Sequence, residues 1–75
     1  MKPPAHAVRD LGLAVKKLRL QRKMTQQELA DASGLDIRYI GSIEGGQRNP
    51  TFGALQGIAS VFGMKTSELL RNAKL

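Results

Sequence analysis

The chain has 75 residues, room for one small domain, and contains no cysteine, so disulfides cannot supplement its core and self-association is the remaining support. Its single histidine, His6, has no second histidine or cysteine to complete a metal site and the carboxylates are scattered, so neither a metal nor a cofactor is expected. Twelve Lys and Arg against six Asp and Glu leave a formal charge of +6, which favours a polyanionic partner, nucleic acid first.

Residues 1–6 hold Lys2, Pro3 and Pro4 and little apolar surface, which reads as a flexible arm ahead of a single domain over residues 7–75. Helix 1 is expected from Ala7 to about Arg22, where Leu11, Ala14, Val15 and Leu18 recur on one helical face. Gly12 is a weak point in it, costing up to about 1 kcal/mol against alanine, and a helix that starts later is the alternative. Arg9, Lys16, Lys17, Arg19, Arg22 and Lys23 crowd this segment, with no acid between Leu11 and Gln27, so the field is one-sided.

Thr25, Gln26, Gln27 and Glu28 have the pattern of a capping box, in which the threonine oxygen accepts from the Glu28 amide and the Glu28 carboxylate from the Thr25 amide. Helix 2 starts there, carries Leu29 and Ala30, and stops at Gly34, which can take the left-handed conformation of a helix end. Asp36 is the N-cap of helix 3, Ile37 to Glu44, with Ile40 and Ile43 on one face and Gly45-Gly46 after it. Gln47 to Pro50 is a loop. Thr51 caps helix 4, which reaches about Phe62 with Leu55, Ile58, Ala59 and Phe62 on its apolar face, and Gly63 closes it. A short fifth helix capped by Thr66 or Ser67 carries Leu69 and Leu70. The class is all-α, five helices without a strand.

Two short capped helices joined by a glycine turn make a helix-turn-helix over about residues 25–45. Ala30 must be small where helix 3 crosses helix 2, while Leu29, Leu35, Ile40 and Ile43 fix the angle between them. The run Thr25-Gln-Gln-Glu-Leu-Ala, then Gly34-Leu35, then Ile40 to Gly46, then Asn49-Pro50-Thr51, resembles the phage-repressor and Cro family of helix-turn-helix proteins, often called XRE-like. The likeness covers roughly Val15 to Leu70 and implies a lambda-repressor-like domain. Among stand-alone members it looks most like the controller proteins of restriction-modification systems; prophage repressors and antitoxin-type regulators share the same core.

The resemblance implies double-stranded DNA as partner, with helix 3 in the major groove and its early residues at base edges. That assigns base reading to Ile37, Arg38, Ser42 and Tyr39, Arg38 being the residue able to donate two parallel hydrogen bonds to guanine. Gly41 would let the helix approach closely. Tyr39 either contacts a sugar or phosphate or is partly buried. The resemblance places Gln26 on a phosphate; Arg48, Asn49 and Thr51 would form a second phosphate clamp, with Gln27, Lys16 and Lys23 as weaker candidates. It also pairs Arg19 with Glu44 as a structural ion pair, with Arg19 as a further phosphate donor. Gly45-Gly46 departs from the family's Arg-Gly or Asn-Gly and removes one phosphate contact, and Ser33 replaces a frequent apolar residue, which softens packing near the turn.

No nucleophile with an adjacent base, no paired carboxylates and no phosphate loop occur, so an enzyme is not expected. The chain is expected to be a cytoplasmic regulator that binds a pseudo-palindromic operator as a homodimer, through Met64, Leu69 and Leu70 with Phe62 or Leu75, and without membrane or small-molecule ligand. The alternative is an antitoxin-type interaction module on the same fold, with DNA binding secondary.

Overall fold

A computed structural model describes residues 2–75; Met1, part of the expected arm, lies outside the described residues. The described residues form five α-helices: α1 (Ala5–Gln21), α2 (Gln26–Ser33), α3 (Ile37–Glu44), α4 (Phe52–Val61) and α5 (Thr66–Asn72). α1 begins two residues before the expected Ala7. Pro4 takes the N-cap position, and its carbonyl accepts from the amides of Ala7 at 3.0 Å and Val8 at 3.4 Å. A proline just before a helix loses nothing by lacking an amide, because first-turn amides have no intrahelical acceptor.

The caps of α2, α3 and α4 follow from sequence. Thr25 Oγ1 accepts from the Glu28 amide at 3.0 Å, and Glu28 Oε1 accepts from the Thr25 amide at 2.8 Å. Such a cap is worth about 1 kcal/mol. Gly34 closes α2 at φ 75°, a left-handed angle that a side chain would strain. Asp36 and Thr51 cap α3 and α4 through their side-chain oxygens. α5 differs from expectation: Lys65, ahead of Thr66 and Ser67, is the N-cap, and its amide donates to Glu68 Oε1 at 3.0 Å.

α1 packs on α3, α2 on α3 and α4, and α5 closes the core over α4 and α1. Val15, Leu29, Ile40, Ile43, Ile58 and Leu69 are fully buried at its centre, each removal from water worth about 1.5–3 kcal/mol. Ala30 and Ala59 are buried with them.

Gly12 neither delays nor breaks α1. It is buried on the face that meets α3, where an added Cβ would fall on the carbonyl oxygen of Ile43 and within 3.1 Å of that of Glu44. The residue that looks like a weak point by helix propensity is therefore what lets α1 lie against the end of α3. At the end of α2 the half-buried Ser33 donates its hydroxyl to the Leu29 carbonyl at 2.7 Å, and α4 approaches the Ser33 carbonyl at Gly57. No helix is long and apolar enough to cross a membrane among the described residues.

Candidate nucleic-acid interface

At the start of α3, Asp36, Ile37 and Arg38 are exposed, whereas Ile40, one turn in, is fully buried. Asp36 Oδ1 accepts from the Arg38 amide at 2.7 Å, which fixes the first turn, and the Arg38 side chain projects from it 89% exposed. Ile37 is exposed beside it. One turn on, half-buried Ser42 donates from Oγ to the Arg38 carbonyl at 2.9 Å and keeps its lone pairs for an incoming donor. An added Cβ on Gly41 would meet nothing within 4 Å, so nothing inside the chain requires glycine there.

Tyr39 is half-buried and is a strut. Its hydroxyl oxygen accepts from the Thr51 amide at 3.1 Å, tying α3 to the start of α4. The Arg48 guanidinium lies over its ring at 5.3 Å from the centroid, an arrangement favoured by the charge of the ring face. Arg48 is thus held beside α3 rather than trailing from a loop. Asn49 is exposed next to it, Pro50 is buried, and Thr51 spends its hydroxyl oxygen on the Ala54 amide at 3.1 Å. Asp36, Arg38, Tyr39, Ser42 and Arg48 line one shallow depression.

Behind this surface sits a buried carboxylate. Glu44 Oε2 accepts from Arg19 Nε at 2.7 Å and Oε1 from Arg19 Nη2 at 3.0 Å, with both residues less than 10% exposed. Arg19 Nη1 donates to the Met24 carbonyl at 2.6 Å, so three of the five N–H donors of the guanidinium are bonded inside the protein. The hydrogen bonds that Arg19 donates to Glu44 raise its pKa against the opposing effect of burial. Glu44 Oε1 also accepts from Gln26 Nε2 at 3.1 Å. One carboxylate therefore joins the end of α1, the first residue of α2 and the last residue of α3. Gln27 is exposed and donates to Asp31 Oδ1 at 2.8 Å along α2.

Within the early basic cluster two arginines are engaged by the protein itself. Arg19 is buried, and Arg22, though exposed, lies along the surface of α4, with Nη2 donating to the Phe62 carbonyl at 2.9 Å and its guanidinium over the Phe62 ring at 4.8 Å. Arg9, Lys16, Lys17 and Lys23 remain exposed. Among the residues expected to pair two copies, Leu69 is fully buried and Phe62 is 5% exposed, so both serve the core of the protomer. Met64 and Leu70 are half-buried and Leu75 is exposed, which leaves these three at the surface. Neither Arg22 as a clamp nor the bond from Gln26 to Glu44 was legible in the sequence, because each joins residues far apart in it.

The profile of the helix-turn-helix family matches residues 15–69. The immunity repressor protein of Bacillus phage phi105 is 32% identical over 60 residues, which are 80% of this chain and 42% of the repressor. The chain thus spans less than half the length of that relative. The uncharacterized HTH-type transcriptional regulator y4dJ of Sinorhizobium fredii is 35% identical over 60 residues, 80% of this chain and 78% of y4dJ. The restriction-modification controller protein C.AhdI from Aeromonas hydrophila superposes with a TM-score of 0.80 at 32% identity, covering 83% of this chain and 94% of that one.

Proposed function

We propose that this chain, which belongs to the helix-turn-helix family, is a transcriptional regulator that reads a pseudo-palindromic DNA operator as a homodimer with α3 in the major groove. The observation that carries the reading is the shared depression in which α3 presents Arg38 and Ser42 beside Arg48. Arg38 reads guanine through its planar fork, Ser42 reaches a base or phosphate one turn on, and Ile37 makes apolar contact at the rim. Tyr39 supports the surface from behind, and Arg48, stacked on it, grips the backbone together with Asn49 and the first turn of α4. On the other flank Gln26, the first residue of α2, donates from Nε2 to Glu44, and the first-turn amides that the Thr25 cap leaves open suit a phosphate. Gln27 adds a weaker contact.

Met64 and Leu70, with Leu75, form the pairing surface, and twofold symmetry then presents two copies of α3 about one helical turn of DNA apart. Relatives described as an immunity repressor and as a transcriptional regulator support the regulatory role. Selection of bound duplexes from a random pool tests the reading, with sedimentation of the free protein alongside. The expected result is an enriched inverted repeat and a dimer at micromolar concentration. A pool that stays random, or a protein that is only monomeric, would contradict it.

A further inference from the structure

We propose that Asp36 is a specificity-determining residue: its carboxylate clamps one edge of the Arg38 guanidinium, presets the other edge for guanine and withholds the arginine from phosphates. This rests on the reading of α3 as the base-contacting helix. Asp36 Oδ1 accepts from Arg38 Nε at 3.2 Å and Oδ2 from Nη2 at 3.1 Å, in addition to the capping bond from the Arg38 amide. A guanidinium has two edges that can each donate a parallel pair of hydrogen bonds. The edge formed by Nε and Nη2 is taken, so the edge formed by Nη1 and the remaining Nη2 hydrogen faces outward. That second edge has the geometry that matches O6 and N7 of guanine.

The two arginines of the depression are held in different ways. Arg48 is stacked on Tyr39 and, among the described residues, has no carboxylate partner, so its charge is available to any phosphate. Arg38 is held by a carboxylate alone. To bind a phosphate through the clamped edge it must leave Asp36, and a phosphate on the free edge lies close to the negative charge of Asp36. Guanine carries no charge and meets neither obstacle. The clamp therefore favours one base edge and disfavours sequence-independent attachment, and specificity is the difference between those two affinities. The cap and the clamp use the same side chain, so the arginine is aimed by the residue that starts its helix.

The test is Asp36→Asn. Asparagine caps a helix as well as aspartate, so α3 is kept, but its amide nitrogen cannot accept from Nη2. Anisotropy titrations on the full chain use the selected operator, the operator with each guanine replaced in turn, and a random duplex of equal length, at several salt concentrations. The Asn variant is expected to lose about 5-fold in discrimination at the guanine read by Arg38. It is expected to bind the random duplex about 3-fold more tightly, with a salt slope steeper by up to about 1. In an Arg38→Ala background the same change should leave base discrimination unmoved. Equal discrimination in Asp36→Asn and a selective parent would overturn the role of Asp36 alone. So would the same loss in the Arg38→Ala background, because the carboxylate would then act without the arginine. A parent that selects no duplex removes both this inference and the reading on which it rests.

Discussion

Replacing Glu44 probes the centre of the architecture. Its carboxylate and the Arg19 guanidinium are 3% and 8% exposed as side chains, and the pair is bidentate. Glu44→Ala strands a charge that retains one hydrogen bond, to the Met24 carbonyl, and breaking such a buried pair costs about 3–5 kcal/mol. Glu44→Gln keeps the shape and one acceptor oxygen, so its cost is lower, about 2–3 kcal/mol. At about 0.05–0.15 kcal/mol per residue, a domain of this size has roughly 4–11 kcal/mol in all, so the alanine variant sits near the edge of folding. The glutamine variant should melt about 8–24 °C below the parent, at 4–8 °C per kcal/mol. Urea and thermal unfolding followed by far-UV circular dichroism measure both. The joint change Arg19→Met with Glu44→Leu removes both charges and should recover most of the loss. A Glu44→Gln protein within about 0.5 kcal/mol of the parent would refute the reasoning, since a buried arginine cannot lose its counterion at so small a cost.

Gly12→Ala should destabilise by about 1–3 kcal/mol in urea despite the better helix former, because the new methyl group meets backbone carbonyls that cannot turn aside. Stabilisation would mean that α1 does not lie so close to α3. Gly41→Ala should stabilise by about 0.5–1 kcal/mol, since its Cβ enters open space, yet weaken operator binding where α3 approaches the duplex. Unchanged binding would remove Gly41 from the interface. Asp36 is held below the usual carboxylate range, first by the side-chain hydrogen bonds from Arg38 and then by the Arg38 amide. A depressed folded pKa contributes stability that is present above the unfolded value and lost as pH falls through the folded one. Carboxyl titration by NMR should therefore show Asp36 rising toward 3.8 in Arg38→Ala, and no movement would mean that the clamp does not form in solution.

What was legible in the sequence is what local chemistry decides. The reciprocal bonds of Thr25 and Glu28, the caps at Asp36 and Thr51 and the left-handed turn at Gly34 each depend on residues within one helical turn. The apolar positions of α1 to α4 followed from periodicity for the same reason. The rest depended on which surfaces meet. Gly12 looked weak because propensity measures a helix alone, and only the crossing with α3 gives it a purpose. That Arg22 rests on Phe62 depended on where α4 ends, which its neighbours in sequence do not reveal. Leu69 and Leu70 are adjacent and chemically alike, and the packing of α5 on α4 and α1 separates the buried one from the half-exposed one. In the candidate site, the positions of Arg38, Ser42 and Arg48 could be named from the motif. The strut from Tyr39 to Thr51 and the clamp from Asp36 to Arg38 needed side-chain geometry.

The most direct measurement compares Arg38→Ala with Arg48→Ala on the selected operator and on every single-base-pair variant of it. Arg38→Ala should weaken operator binding about 5- to 150-fold and flatten the preference at one base pair in each half-site. Arg48→Ala should weaken all duplexes alike and lower the salt slope by about 1. If Arg38→Ala keeps its fold and still binds the operator with the affinity and preferences of the parent, α3 does not read DNA through Arg38.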